Sequence, residues 1–123
     1  MTIPELYAAI DGSYESVKRI LPTDALVEKF VLRIIDEKSF ERLKNAKDSH
    51  DPKELFEAAH AIKGICANVG LDKLSAQASV VAEEFRPQKE RTMSDAELDA
   101  HLDQFFQKYE ATVATLRDYV AAK

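Results

Sequence analysis

A chain of 123 residues, 46% hydrophobic and 32% charged, is of a size to bury one core, and residues 1–123 read as a single domain. Its net charge of −5 lacks the basic surface that general nucleic-acid binding needs, and no run reaches the ~18 apolar residues of a membrane span. Met1-Thr2-Ile3-Pro4-Glu5 has neither the basic nor the apolar region of a signal peptide, so a cytoplasmic location is expected.

Four prolines punctuate the chain. Thr2 and Glu5 have capping-box spacing around Pro4, which predicts a short helix over residues 3–11. Tyr14, Val17, Ile20 and Leu21 predict a second, stopped before Pro22. Thr23 can cap a third, where Leu26, Val27, Phe30, Val31, Ile34 and Ile35 form a wide apolar face. Phe40 then lies about 140° from Ile35 on a continued wheel. A break near Asp36–Ser39 is expected, with a further helix to about Lys47.

Asp51-Pro52 supplies an N-cap and a proline for the first helical position. The helix that follows carries Leu55, Ala59, Ile62, Cys66 and Val69 in alternating steps of four and three, the seam of a packed helix. It stops at Gly70. Leu71, Leu74, Ala78, Val81 and Phe85 mark the next helix, so close behind that the two should pair antiparallel. Arg86-Pro87 ends it, and residues 87–93 read as a polar loop. Ser94 and Glu97 form another capping box. Behind them Leu98, Leu102, Phe105, Tyr109, Val113, Leu116 and Val120 continue a stripe to the C-terminus, a helix about 40 Å long. The fold class is all-α: an antiparallel four-helix bundle over about residues 23–122, with short helices in about residues 1–21 packed on it.

His60 falls on the long central helix, about 140° from the centre of its seam, and so faces away from the core. Lys63 and Gly64 are its neighbours one turn on. A glycine within a helix costs roughly 0.5–1 kcal/mol relative to alanine. Gly12 and Gly70 each follow an apolar run, where a left-handed cap is expected. Gly64 has no such role, and a close approach to the backbone beside His60 would explain it. The same face holds Phe56, Glu57 and Ala67, with Lys53 at one end and Asn68 at the margin. Arg86, on the next helix, is left unassigned. Cys66 sits on the seam as a small hydrophobe, and one cysteine forms no disulfide within the chain.

His60-Ala61-Ile62-Lys63-Gly64, followed by Gly70-Leu71, resembles the motif of the histidine phosphotransfer (HPt) domain family, departing from it at Ile65 and Cys66. The resemblance implies that His60 is the phospho-acceptor and carries a phosphoryl group between aspartates of receiver domains. These would belong to response regulators or to a hybrid histidine kinase. It also implies phosphorylation on the outer ring nitrogen, with Mg²⁺ held by the partner receiver and no cofactor here. Imidazole at neutral pH is largely the uncharged nucleophile. Lys63 would offset the roughly −2 charge of the phosphate. Phe56 and Ala67 would give a receiver an apolar contact, inside a charged rim of Glu57 and the lysines. Without a glycine-rich phosphate loop or a kinase domain, the chain should not be an enzyme that phosphorylates itself.

Two rivals are weighed. Glu57-x-x-His60 has the spacing of di-metal bundles, but neither His50 nor His101 completes a second such pair, so no metal site is expected. The alternative function is a non-catalytic helical module that docks a signalling partner. Its output would survive replacement of His60 by Gln. In either reading a monomer is expected.

Overall fold

The computed structural model describes residues 1–123, and every regular element in it is helical. Helix α1 spans Ile3–Ala9, α2 Tyr14–Ile20, α3 Asp24–Val31, α4 Ser39–Ser49, α5 Pro52–Asn68, α6 Asp72–Glu84 and α7 Asp95–Ala121. The caps of α1, α3, α5 and α7 are those that the sequence predicts, and Ser13 adds one on α2. Thr2 with Glu5 and Ser94 with Glu97 form capping boxes, and the side chains of Ser13, Thr23 and Asp51 accept the first amides of α2, α3 and α5. No helix is long and apolar enough to cross a membrane.

Three details depart from the sequence reading. Helix α3 ends at Val31 and tightens into a 3-10 turn over Leu32–Asp36, ahead of the expected break. Its wide apolar face is only partly covered: Val27, Val31 and Ile34 are buried, Phe30 and Ile35 half-buried, and Leu26 is 37% exposed. The stripe on α7 also turns away. Its first half is buried as expected at Leu98, Leu102 and Phe105, but further on Thr112, Leu116 and Tyr119 are inside while Val120 is 45% exposed. On the helical wheel Thr112 and Tyr119 lie at one edge of the stripe and Val113 and Val120 at the other, so over the second half of this 27-residue helix the buried face moves to the first edge. The third departure is at Gly12, which is not left-handed. Asp11 is, with φ 56°. Gly12 is small for another reason: a Cβ there would come within 2.8 Å of the Tyr7 ring.

Helices α4, α5, α6 and α7 share a core of 28 residues with α1–α3 and the 3-10 turn. Helices α5 and α6 fold back on each other through a tight connection. Gly70, at φ 73°, is the left-handed residue that closes α5. The Leu71 amide donates to the Cys66 carbonyl and the Gly70 amide to that of Ala67, the paired bonds of a Schellman motif. The N-terminal helices seal this connection. Tyr7 donates its hydroxyl to the Val69 carbonyl at 2.7 Å, and the Ser13 amide donates to the Gly70 carbonyl at 2.8 Å. Burial pushes the Tyr7 phenol above its ordinary pKa, so it remains a donor. Asp11 takes Lys73 of α6 and Lys108 of α7, each at 2.8 Å. These two lysines hold its carboxyl down to about 2.

Candidate functional site

The site is built on α5. Leu55, Ala58, Ala59, Ile62 and Cys66 are fully buried, which fixes the rotation of the helix about its axis. His60, Gly64, Ala67 and Asn68 are thereby left exposed, while Phe56 and Lys63 are half-buried. Burial pushes the Cys66 thiol up to about 12, which keeps it unreactive. From the other side, Arg42 of α4 grips the first turns of α5. It donates to both oxygens of Glu54, at 2.8 and 3.0 Å, and also to Glu57. The Glu57 carboxylate is therefore committed to Arg42 and does not orient His60.

What orients His60 is Phe56, one turn earlier. The two rings stack with centroids 5.5 Å apart and planes 17° from parallel. Below them, where a Cβ on Gly64 would stand, nothing lies within 4 Å. His60 and Gly64 thus present a ring beside bare, open backbone. Neither Lys53 nor Lys63 is engaged in an ion pair. The Lys63 carbonyl accepts a bond from the Ser75 hydroxyl of α6 at 2.8 Å, which pins the two helices beside the histidine.

The sequence residues Phe56, Glu57, His60, Lys63, Gly64 and Ala67 accordingly share one stretch of α5. Next to them lies a cleft of about 540 Å³ between the start of α5 and the segment after α6. Pro52, Lys53, Phe56 and Glu57 form one wall, and Phe85, Arg86, Lys89 and Arg91 the other. The second wall is held by Glu84, which the sequence reading passed over. Only 4% exposed, its carboxylate accepts the Thr92 amide at 2.8 Å, the Thr92 hydroxyl at 2.9 Å, the Lys89 ammonium at 3.1 Å and the Met93 amide. Burial alone would raise its pKa, but these four donors outweigh burial and hold it down to about 2. A signal was present: Glu84 falls three residues after Val81, on the buried side of the α6 wheel. A carboxylate there requires internal partners. No group of three or more His, Cys, Asp or Glu side chains is arranged to hold a metal ion.

An all-helical chain with an exposed histidine beside a lysine and an open glycine fits a class of proteins that carry a group on imidazole. The family model of the Hpt domain matches residues 36–121, and the chain belongs to that family. Hpt domains are phosphocarriers of two-component signalling, without kinase activity, and they interact with receiver domains. No curated protein and no solved structure matches the chain.

Proposed function

We propose that this protein carries a phosphoryl group on His60 between the aspartates of receiver domains, in response regulators or in a hybrid histidine kinase. The observation that carries this reading is the exposed His60 ring one turn before the open backbone at Gly64, within the stretch matched by the Hpt family. In transfer, the outer nitrogen Nε2 attacks the phosphorus of an aspartyl phosphate. The N–P bond forms, the P–O bond to the aspartate breaks, and the carboxylate leaves with the electron pair while Nδ1 keeps its proton. Such a reaction needs in-line approach and charge stabilisation more than covalent machinery.

Each neighbour of His60 has a part in this. Phe56 restricts the imidazole to one orientation by stacking. Gly64 gives the receiver's backbone room to come close, and the Lys63 ammonium offsets the added phosphate charge. Glu57 and Ala67 lie at the edge of the contact. Mg²⁺ belongs to the receiver, whose carboxylates hold it, and this chain brings no cofactor of its own. The reading takes about residues 23–122 as an antiparallel four-helix bundle with the short helices of about residues 1–21 packed on it, acting as a cytoplasmic monomer.

The test is transfer of radiolabelled phosphate from phosphorylated receiver domains, with His60→Gln alongside. An acid-labile, alkali-stable label on the wild type that is absent from the variant is the expected result. A wild type that no receiver labels would leave a docking module instead, and a labelled variant would move the phosphate to another residue.

A further inference from the structure

We infer that the cleft between the start of α5 and the segment after α6 is an anchoring pocket for the receiver, and that it takes an apolar side chain flanked by carboxylates. This rests on the phosphocarrier reading and adds a second point of attachment to it.

The first argument is continuity. The cleft begins at Phe56 and Glu57, which are one helical turn, about 5.4 Å, from His60. The Phe56 ring is shared: it lines the cleft and stacks on the imidazole. A partner whose aspartate reaches His60 therefore covers the mouth of the cleft with the adjoining part of its surface.

Chemistry decides the occupant. The walls combine the rings of Phe56, Phe85, Pro52 and Pro87 with the cations Lys53, Arg86 and Arg91, while the charge of Lys89 is spent on Glu84. The two carboxylates in the lining, Glu57 and Glu84, are already satisfied by Arg42 and by the donors of the 89–93 segment. The free potential of the cleft is thus positive, on a chain whose net charge is −5. Lys53 has no partner. Arg86 pairs with Glu83 and Arg91 with Asp95, but these are exposed pairs within three or four residues, which contribute little and exchange readily for better acceptors. Apolar walls with a cationic rim suit a side chain such as Leu or Phe beside Asp or Glu.

The pocket is also built in advance. Glu84 fastens the 89–93 segment with bonds to two backbone amides, a hydroxyl and the Lys89 ammonium, so the cationic wall stands in place before a partner arrives.

The experiment compares Arg86→Glu/Arg91→Glu with Lys29→Glu/Arg33→Glu, a reversal of equal charge on α3 and the 3-10 turn after it. Lys53→Glu, on the opposite wall, is the second probe. Each protein is checked by thermal melting and then given phosphorylated receiver domains that label the wild type. Labelling by phosphoramidate, which needs no docking, serves as the reference for a reactive His60. The expected result is a fall of about tenfold or more in receiver kcat/KM relative to the phosphoramidate rate, from weaker binding, in the cleft variants and not in the α3 variant. Binding of the wild type should weaken with salt, and that of the double variant should have lost most of this dependence. Wild-type transfer by the cleft variants, or an equal fall in the α3 variant, would overturn the pocket and leave the carrier reading intact. A change in self-association, read by sedimentation, would assign the cleft to a second copy of the chain and overturn it too. If no receiver labels the wild type, the carrier reading falls and takes the pocket with it.

Discussion

Gly64 and Gly70 lie six residues apart around the end of α5, and each is glycine for a different reason. Gly64 is helical with open space where a side chain would begin, whereas a Cβ on Gly70 would come within 2.6 Å of the Ser13 carbonyl at φ 73°. Gly64→Ala should therefore raise stability by roughly 0.5–1 kcal/mol. It should also slow transfer from receivers, roughly tenfold, because a methyl group holds the partner's backbone off the reacting geometry. Gly70→Ala should lower stability by on the order of 2–4 kcal/mol, through left-handed backbone strain and the clash. Denaturant titrations of both variants, with receiver transfer kinetics for the first, check this. A Gly64→Ala protein that transfers at the wild-type rate would remove clearance as the reason for the glycine. Phosphoramidate does not dock, so it reads the effect of Phe56 on the imidazole apart from its place in the cleft. Stacked aromatic pairs are worth about 0.5–1.5 kcal/mol, so Phe56→Leu should slow the labelling of His60 by phosphoramidate about two- to tenfold. Single-turnover labelling measures it.

At the scale of elements, the segment between α6 and α7 is held by one buried carboxylate. The ordinary glutamate pKa of 4.5 falls to about 2 in folded Glu84. Its contribution to stability is fully present above pH 4.5 and is lost as pH falls through the folded value. Glu84→Gln should be less stable than the wild type by a constant margin from pH 7 to about 5, and that margin should shrink between about 4.5 and 2. Urea titrations across this range would show it, and a margin independent of pH would take the role away from the charge.

The elements differ in how far their sequence reveals them. The caps of α1, α3, α5 and α7 and the seam of α5 are local patterns, and the chain displays them openly. The outward position of His60 follows from that seam, which is why the heart of the candidate site is legible. The cleft is not. It needs Phe56 and Arg86, thirty positions apart, on facing walls, and no periodicity encodes that distance. Arg42 bridging to Glu54 and Glu57 and Ser75 bonding to Lys63 are hidden for the same reason. The end of α7 misleads because Val120 continues the apolar spacing, while the elements packed there, the 3-10 turn and Glu28 of α3, meet the side of the helix that carries Thr112 and Tyr119.

For the whole molecule, the family match begins at residue 36, but the core does not. Ile3, Leu6, Tyr7, Ile10, Val17, Val27, Val31 and Ile34 all belong to the 28-residue core and lie before the match. Residues 1–35 are part of the folded body: α1 packs against α7, and Tyr7 and Ser13 bond to the connection that ends the His60 helix. The bond from Tyr7 to Val69 spans 62 positions. Helices α5 and α6, joined by a few residues, can meet early, whereas docking α1 must first close a long loop. Tyr7→Phe, which leaves the buried Val69 carbonyl unpaired at a cost of about 1–3 kcal/mol, should therefore speed unfolding and leave the refolding rate nearly unchanged. Stopped-flow measurements on both limbs would decide it, and a slowed refolding limb would place the docking of α1 before the barrier. On a ribosome the consequence is one of timing. Helix α1 has no complete resting place until α7 has been made, so it is among the last elements to settle.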